Sequence, residues 1–377
     1  MKRRSRREVL RWMAITSTAF LAACQNALHP ASTASQTVAT ETPTRLPEPT
    51  ATAQPEIQQA TATPTPTRLP KPTATAQPEI QQVTNTPEGM NMATVYMTTN
   101  ISADGLMSIY KVLGREANGN VAVKISSGEP GGHNYLSPDL IAPLVQEVKG
   151  TIVECNTAYG GGRASTALHL QVMKDHGFAA IAPVDIMDAD GTMSLPIAEG
   201  KHLKEDIVGS HFADYDFVVN LAHFKGHMMA GLGGVIKNMS IGIASSMGKS
   251  LIHSAGKETA GFGANTPQDD FLESMAEAAK GVADCLGENI LYINVMNKLS
   301  VDCDCDSNPA APTMKDIGIL ASLDPVALDQ ACVDLVYAAP DGKDLIERME
   351  SRHGIHTLEH AEAMGLGNRK YQLVTID

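Results

Sequence analysis

The chain has 377 residues, 43% of them hydrophobic and only 4% aromatic, and a formal charge of −13. That acidic balance excludes sequence-independent nucleic-acid binding, which needs cations in excess to neutralise phosphates. Aromatic side chains are scarce and the single tryptophan lies in the first 23 residues, so any folded core has to be aliphatic and methionine-rich.

Residues 1–23 read as an address. Paired arginines in SRREVLR precede a short apolar stretch and then Leu21-Ala22-Ala23-Cys24, which is the order of an export signal. The segment resembles a twin-arginine signal joined to a bacterial lipobox. That resemblance implies lipidation of Cys24, attachment to a membrane and a folded domain outside the cytoplasm. The apolar run is too short to span a bilayer. Loss of residues 1–23 would remove six Lys/Arg and one Glu and leave the mature chain at −18.

Residues 24–91 are dominated by Thr, Pro, Ala and Gln and contain a tandem repeat, PTRLPEPTATAQPEIQQAT from Pro43 and PTRLPKPTATAQPEIQQVT from Pro66. Such a composition cannot bury a core and reads as a disordered, semi-extended tether. A ligand for a proline-recognition module is the alternative.

From residue 92 to 377 the pattern changes. Apolar runs at 93–97, 121–125, 151–154, 184–187, 217–221, 290–295 and 317–321 predict strands. Apolar spacings of three and four predict helices over 106–117, 137–148, 165–176, 269–285 and 325–337. Strands alternating with helices predict an α/β fold with a largely parallel sheet flanked by helices, as one large domain or two closely joined lobes. Ligands in such sheets gather at the carboxyl ends of the strands.

Several motifs fall at those ends. SSGEPGGH, closing on His133, follows one run; ECNTAYGGGR, closing on Arg163, follows another and opens a helix. Bare backbone N–H groups there suit an anion, although neither spacing is that of a Walker or dinucleotide loop, and an ordinary tight turn explains them equally. The stretch from Ala222 to Lys257 holds three histidines, four lysines, seven glycines and no acid. In extended backbone His223, Lys225 and His227 share a face and could hold a metal, move protons or meet an anion. Lys237-Asn238, between apolar neighbours, needs an anion for its ammonium, and Lys249 and His253 share a face if helical. An exposed polar edge is the bland reading.

Two thiols and three carboxylates crowd into Asp302, Cys303, Asp304, Cys305 and Asp306. Thiolates select soft or borderline metals, and carboxylates and imidazoles can complete the shell. If the segment is extended, Cys303 and Cys305 point to opposite faces and are poorly placed to form a disulfide together; an acidic loop with idle thiols also fits. Cys285 and Cys332 sit in helical apolar patterns and read as core. Ser322 or Asp324 can cap the helix opened by Pro325, and Asp329 on its first turns faces either solvent or the cleft.

The blocks HFKGHMMAGLGGVIKNMSIGIASSMGK from His223, VDCDCDSNPAAP from Val301, DIGILASLDPVALDQACVDLV from Asp316 and NTAYGGGRASTALHL from Asn156 resemble, in this order, the family called domain of unknown function 362. The resemblance implies an α/β core and an iron–sulfur or redox association, while the ferredoxin module of many relatives is absent. The reading that results is a membrane-tethered, metal- or iron–sulfur-associated protein, a redox or group-transfer enzyme for a small anionic substrate, with electron transfer to a redox partner also open. The alternative is a lipoprotein that binds an anion or metal complex for a partner without turnover.

Overall fold

A computed structural model describes residues 92–377; the export signal, Cys24 and the tether lie outside the described residues. The first half runs β1 (Ala93–Thr98), α1 (Ala103–Val112), β2 (Val121–Lys124), α2 (Pro138–Glu147), β3 (Thr151–Glu154), α3 (Thr166–Asp175), α4 (Phe178–Ile181), β4 (Val184–Ile186), β5 (Thr192–Pro196) and β6 (Glu205–Gly209). It continues with β7 (Phe217–His223), β8 (Lys225–His227), β9 (Gly231–Gly233), α5 (Val235–Met239), α6 (Ser246–His253) and α7 (Gln268–Leu286). The last part is β10 (Ile290–Met296), β11 (Gly318–Ser322), α8 (Pro325–Ala338), α9 (Lys343–Ser351), α10 (His356–Ala363) and β12 (Tyr371–Thr375).

Eight strands form one sheet in the order β12-β1-β11-β10-β7-β2-β3-β4. It is mostly parallel; only β11 runs against its neighbours β1 and β10. The period of two along each strand feeds both faces. Phe217, Val219 and Leu221 enter one core with Ile293 and Val295, while Val218 and Ala222 enter the other with Tyr292 and Met296, so neither face of these central strands meets water.

The connectivity opens a crevice. β2 and β7 are neighbours, yet the chain proceeds from β2 outward to β3 and β4, and from β7 outward the other way to β10. At such a reversal the loops leave the strands on opposite sides, and a gap remains at the carboxyl ends. All seven predicted strands and all five predicted helices are present, and the described residues cluster as a single unit. The hairpins β5–β6 and β8–β9 and everything after residue 342 are additions to the sequence reading. Asp324 caps α8, its Oδ1 accepting the N–H groups of Val326 and Ala327 at 2.9 and 3.0 Å. No helix among the described residues is long and apolar enough to cross a membrane.

Candidate functional site

Three parallel strands end on ionisable residues, β2 on Lys124, β3 on Glu154 and β7 on His223. Above them opens a cavity of about 370 Å³ whose lining includes Lys124, His227, Lys237, Lys249, Cys303 and Cys305.

One wall is the β7–β8 segment. His223, Lys225 and His227 alternate along it and all meet the 303–305 segment: His223 Nδ1 lies 3.0 Å from Asp304 Oδ1, Lys225 Nζ 2.6 Å from Asp304 Oδ2, and His227 Nε2 3.7 Å from Cys305 Sγ. Gly226 permits the approach. Its N–H donates to Ser300 O at 2.8 Å, and a Cβ there would stand 2.3 Å from Val301 O.

The cysteine segment is a turn, not the extended stretch that the sequence suggests. Asp306 N–H donates to Cys303 O at 2.9 Å, and Cys305 N–H donates to Cys303 Sγ at 3.2 Å, so the two sulfurs face one another. The Cys305 thiol as donor holds Cys303 well below the ordinary thiol range, against burial and with help from Lys237 and His227. The shared proton stays on Cys305, whose own range is raised. Cys303 is therefore the thiolate.

His227 is locked in one tautomer. Its Nδ1 accepts the backbone N–H groups of Met229 and Ala230 at 3.2 and 2.9 Å, and burial, with Lys237 nearby, pushes the ring toward its neutral form. A neutral ring that accepts at Nδ1 carries its proton on Nε2. That N–H points at the sulfurs.

The cations of the cavity differ in what they face. Lys225 is tied to Asp304, which keeps it charged despite burial. Burial pushes Lys124 down to about 8 against the pull of Glu154; its ammonium donates to Asn238 Oδ1 at 3.1 Å. Burial also lowers Lys249, which donates to Ala244 O at 2.5 Å. Lys237, half-buried, makes no ion pair or side-chain hydrogen bond among the described residues, and the charge it feels is the Cys303 thiolate. Asn238 clamps Lys124, with Nδ2 donating to Lys124 O at 3.0 Å and to Asn220 Oδ1 at 2.7 Å. His253, on α6 with Lys249, stacks on Phe271 at 4.8 Å, and burial lowers it to about 4.

Arg163 lines the cavity, yet its guanidinium serves two internal carboxylates, Glu129 at 2.8 Å and Glu154 at 3.1 Å. Gly162 N–H donates to Glu129 as well, at 3.0 Å. The glycine turn does face an anion, and that anion is Glu129, so the reading of Arg163 as a ligand-binding cation is corrected. Glu154, opposed by burial but surrounded by Lys124, Arg163 and His169, is held below the ordinary carboxylate range. His133 is exposed and outside the cavity lining.

Two further expectations change. Asp304 is buried with both oxygens engaged by His223 and Lys225. Asp302 takes Arg348 at 3.2 Å and the N–H of Ala310 at 3.0 Å. Neither carboxylate joins the group of mutually close ligand atoms, which is His227, Cys303 and Cys305, all within 4.8 Å of one another. Sequence reasoning missed Lys124 and Glu129; a lone charged residue closing an apolar strand was the signal for the first. Asp329 faces inward, where Val235 N–H and Ile236 N–H donate to it at 2.9 and 3.0 Å and Asn294 at 2.7 Å. It thus fixes the first turn of α5, which carries Lys237 and Asn238.

Fold and site together define an α/β protein that sets a thiolate beside Lys237, a cation without an ion-pair partner among the described residues, in one strand-end cavity. The model of the family described as Domain of unknown function (DUF362) matches residues 121–334, and the chain belongs to that family. No curated protein matches it in sequence. Among solved structures it is similar to a lactate racemase apoprotein from Thermoanaerobacterium thermosaccharolyticum, at 17% identity and a TM-score of 0.36, covering 53% of this chain and 50% of that one. A second is a Thermotoga maritima protein from structural genomics, at 11% identity and a TM-score of 0.37, covering 69% of this chain and 58% of that one. The chain thus spans about half the length of these structures.

Proposed function

We propose that the cavity binds a small anionic substrate beside a thiophilic metal ion, and that the chain is a metal-dependent redox or group-transfer enzyme. The observation that carries this reading is the meeting of a thiol–thiolate pair with Lys237, a cation lacking a carboxylate partner among the described residues, inside one cavity.

The donor set fits a single soft or borderline ion. Two sulfurs within 4.8 Å of each other supply thiolate ligands, which favour zinc, iron, copper(I) or nickel. A cluster that takes four thiolates does not fit among the described residues, because Cys155, Cys285 and Cys332 lie outside that group. His227, with its proton on Nε2, acts as donor to the sulfurs and keeps their charge in place. When bound, such an ion would polarise a substrate oxygen or exchange electrons.

The remaining roles belong to the chain itself. Lys237 holds the substrate's negative charge at the mouth of α5. Lys124, balanced near 8, gives or takes a proton close to neutral pH, and Asn238 keeps its ammonium aimed. Lys225 and His223 hold Asp304, and through it the cysteine turn. In this reading the export signal and Cys24 place the domain at the outer face of a membrane, at the end of its tether; a radiolabelled lipid should enter the chain and be lost with Cys24→Ala.

The test is metal analysis of the native chain beside the double variant Cys303→Ser/Cys305→Ser. Bound metal should fall by about one equivalent, the share that the two thiolates hold. Equal content in the two overturns the assignment.

A further inference from the structure

A second group of histidines and carboxylates shares no residue with the cavity lining. On α7, Asp270, Glu273 and Glu277 are spaced by three and four residues and so share a face; on α10, His356 and His360 do the same. The two helices pack together. The turn between β5 and β6 supplies His202, held there because Glu277 accepts the N–H groups of Lys201, His202 and Leu203 at 2.8, 3.0 and 2.7 Å.

Glu273 is the centre of this arrangement. Its Oε2 lies 2.6 Å from His202 Nε2 and its Oε1 3.1 Å from His356 Nε2. Asp270 Oδ1 stands 4.0 Å from the same His202 nitrogen, and the ligand atoms of His202, Asp270 and Glu273 lie within 4.8 Å of one another.

His356 sits between two carboxylates. Its Nε2 faces Glu273 while its Nδ1 faces Glu359 Oε2 at 3.4 Å. A neutral imidazole donates from one nitrogen only, so one of these contacts sets a lone pair against a carboxylate unless a proton or a metal ion intervenes. With Nδ1–H donating to Glu359, the Nε2 lone pair is directed at the Glu273 side, which is the carboxylate–histidine–metal arrangement of many metal sites.

We propose that His202, Asp270 and Glu273 hold a divalent ion of the zinc class, with His356, which meets the other oxygen of Glu273, beside them as a fourth ligand. Two imidazoles and two carboxylates are a borderline N/O donor set suited to such an ion. The ion would tie α10 and the β5–β6 turn to α7, so that binding energy becomes folding energy. Lys201 also reaches Glu273 at 2.6 Å, but its side chain is 59% exposed and can return its ammonium to solvent when an ion arrives.

The experiment uses the tag-free full chain carrying Cys303→Ser and Cys305→Ser, so its outcome is separate from that of the cavity site. Zinc alone should bind at one equivalent at neutral pH and raise the melting temperature. His202→Gln and His356→Gln, made singly, should each weaken binding at least roughly tenfold. Cobalt(II) added to the parent, which needs no further variant to fold, should give visible ligand-field bands without the near-ultraviolet sulfur charge-transfer band. Absence of zinc binding in the parent overturns the proposal; undiminished binding in both glutamine variants overturns the ligand assignment.

Discussion

Asp304 and Lys225 form an ion pair at 2.6 Å with both side chains buried, and His223 closes on the other carboxylate oxygen. Removing the carboxylate alone strands two buried donors. Asp304→Ala should therefore destabilise the fold by about 3–5 kcal/mol, read as a lower urea midpoint at unchanged slope. The double variant Lys225→Met/Asp304→Leu should recover much of the loss. If Asp304→Ala unfolds at the wild-type midpoint, the pair does not hold the cysteine turn.

Lys124 sets a dependence on alkaline pH. Its ordinary value of 10.5 falls to about 8 in the fold, so between those limits the unfolded chain binds the extra proton and stability rises with pH. Compared with Lys124→Met, the wild type should gain up to about 3 kcal/mol across this window. Denaturation of both chains at several pH values measures it, and parallel curves would mean that the ammonium is not desolvated.

His253 acts with the same sign in acid. Its ordinary 6.5 falls to about 4 because the ring is buried. The folded chain resists the proton that the unfolded chain accepts, so the contribution is intact above 6.5 and lost as pH drops through about 4. The gap corresponds to about 3 kcal/mol. His253→Phe, which preserves stacking on Phe271, should lose correspondingly less stability over that range in thermal melts.

Gly226→Ala tests the approach of the two walls. Its Cβ would lie 2.3 Å from a backbone oxygen that cannot rotate away. A cost of about 1–3 kcal/mol should accompany loss of bound metal while the circular dichroism spectrum stays folded. Full metal content in this variant would show that the cysteine turn tolerates displacement.

How much of this was legible in the sequence depended on burial and length. β7 and β10 are buried at every position, which writes an uninterrupted apolar run, and α7 repeats its apolar residues over five turns. β12 is half-buried at two positions and exposed at three, without alternation, and the three-residue strands β8 and β9 carry glycines and polar groups; neither leaves a periodic trace. At the site, the glycine and lysine density from residue 222 onward announced the cationic wall. Arg163 was misread because Glu129, which neutralises it, lies far enough back in the chain that only the fold unites them. The cysteine turn was misread because an alternating Asp-Cys pattern looks extended until the backbone bond from Asp306 to Cys303 is seen.

Asp329 fixes the first turn of α5 from a position far downstream, and Cys303 and Cys305 also follow Lys124 at a long remove. During synthesis the early strands therefore emerge long before the groups that complete the cavity. No ribosome-bound fragment ending before α8 can present the finished binding surface, so a ligand of the cavity is taken up only after α8 has been made.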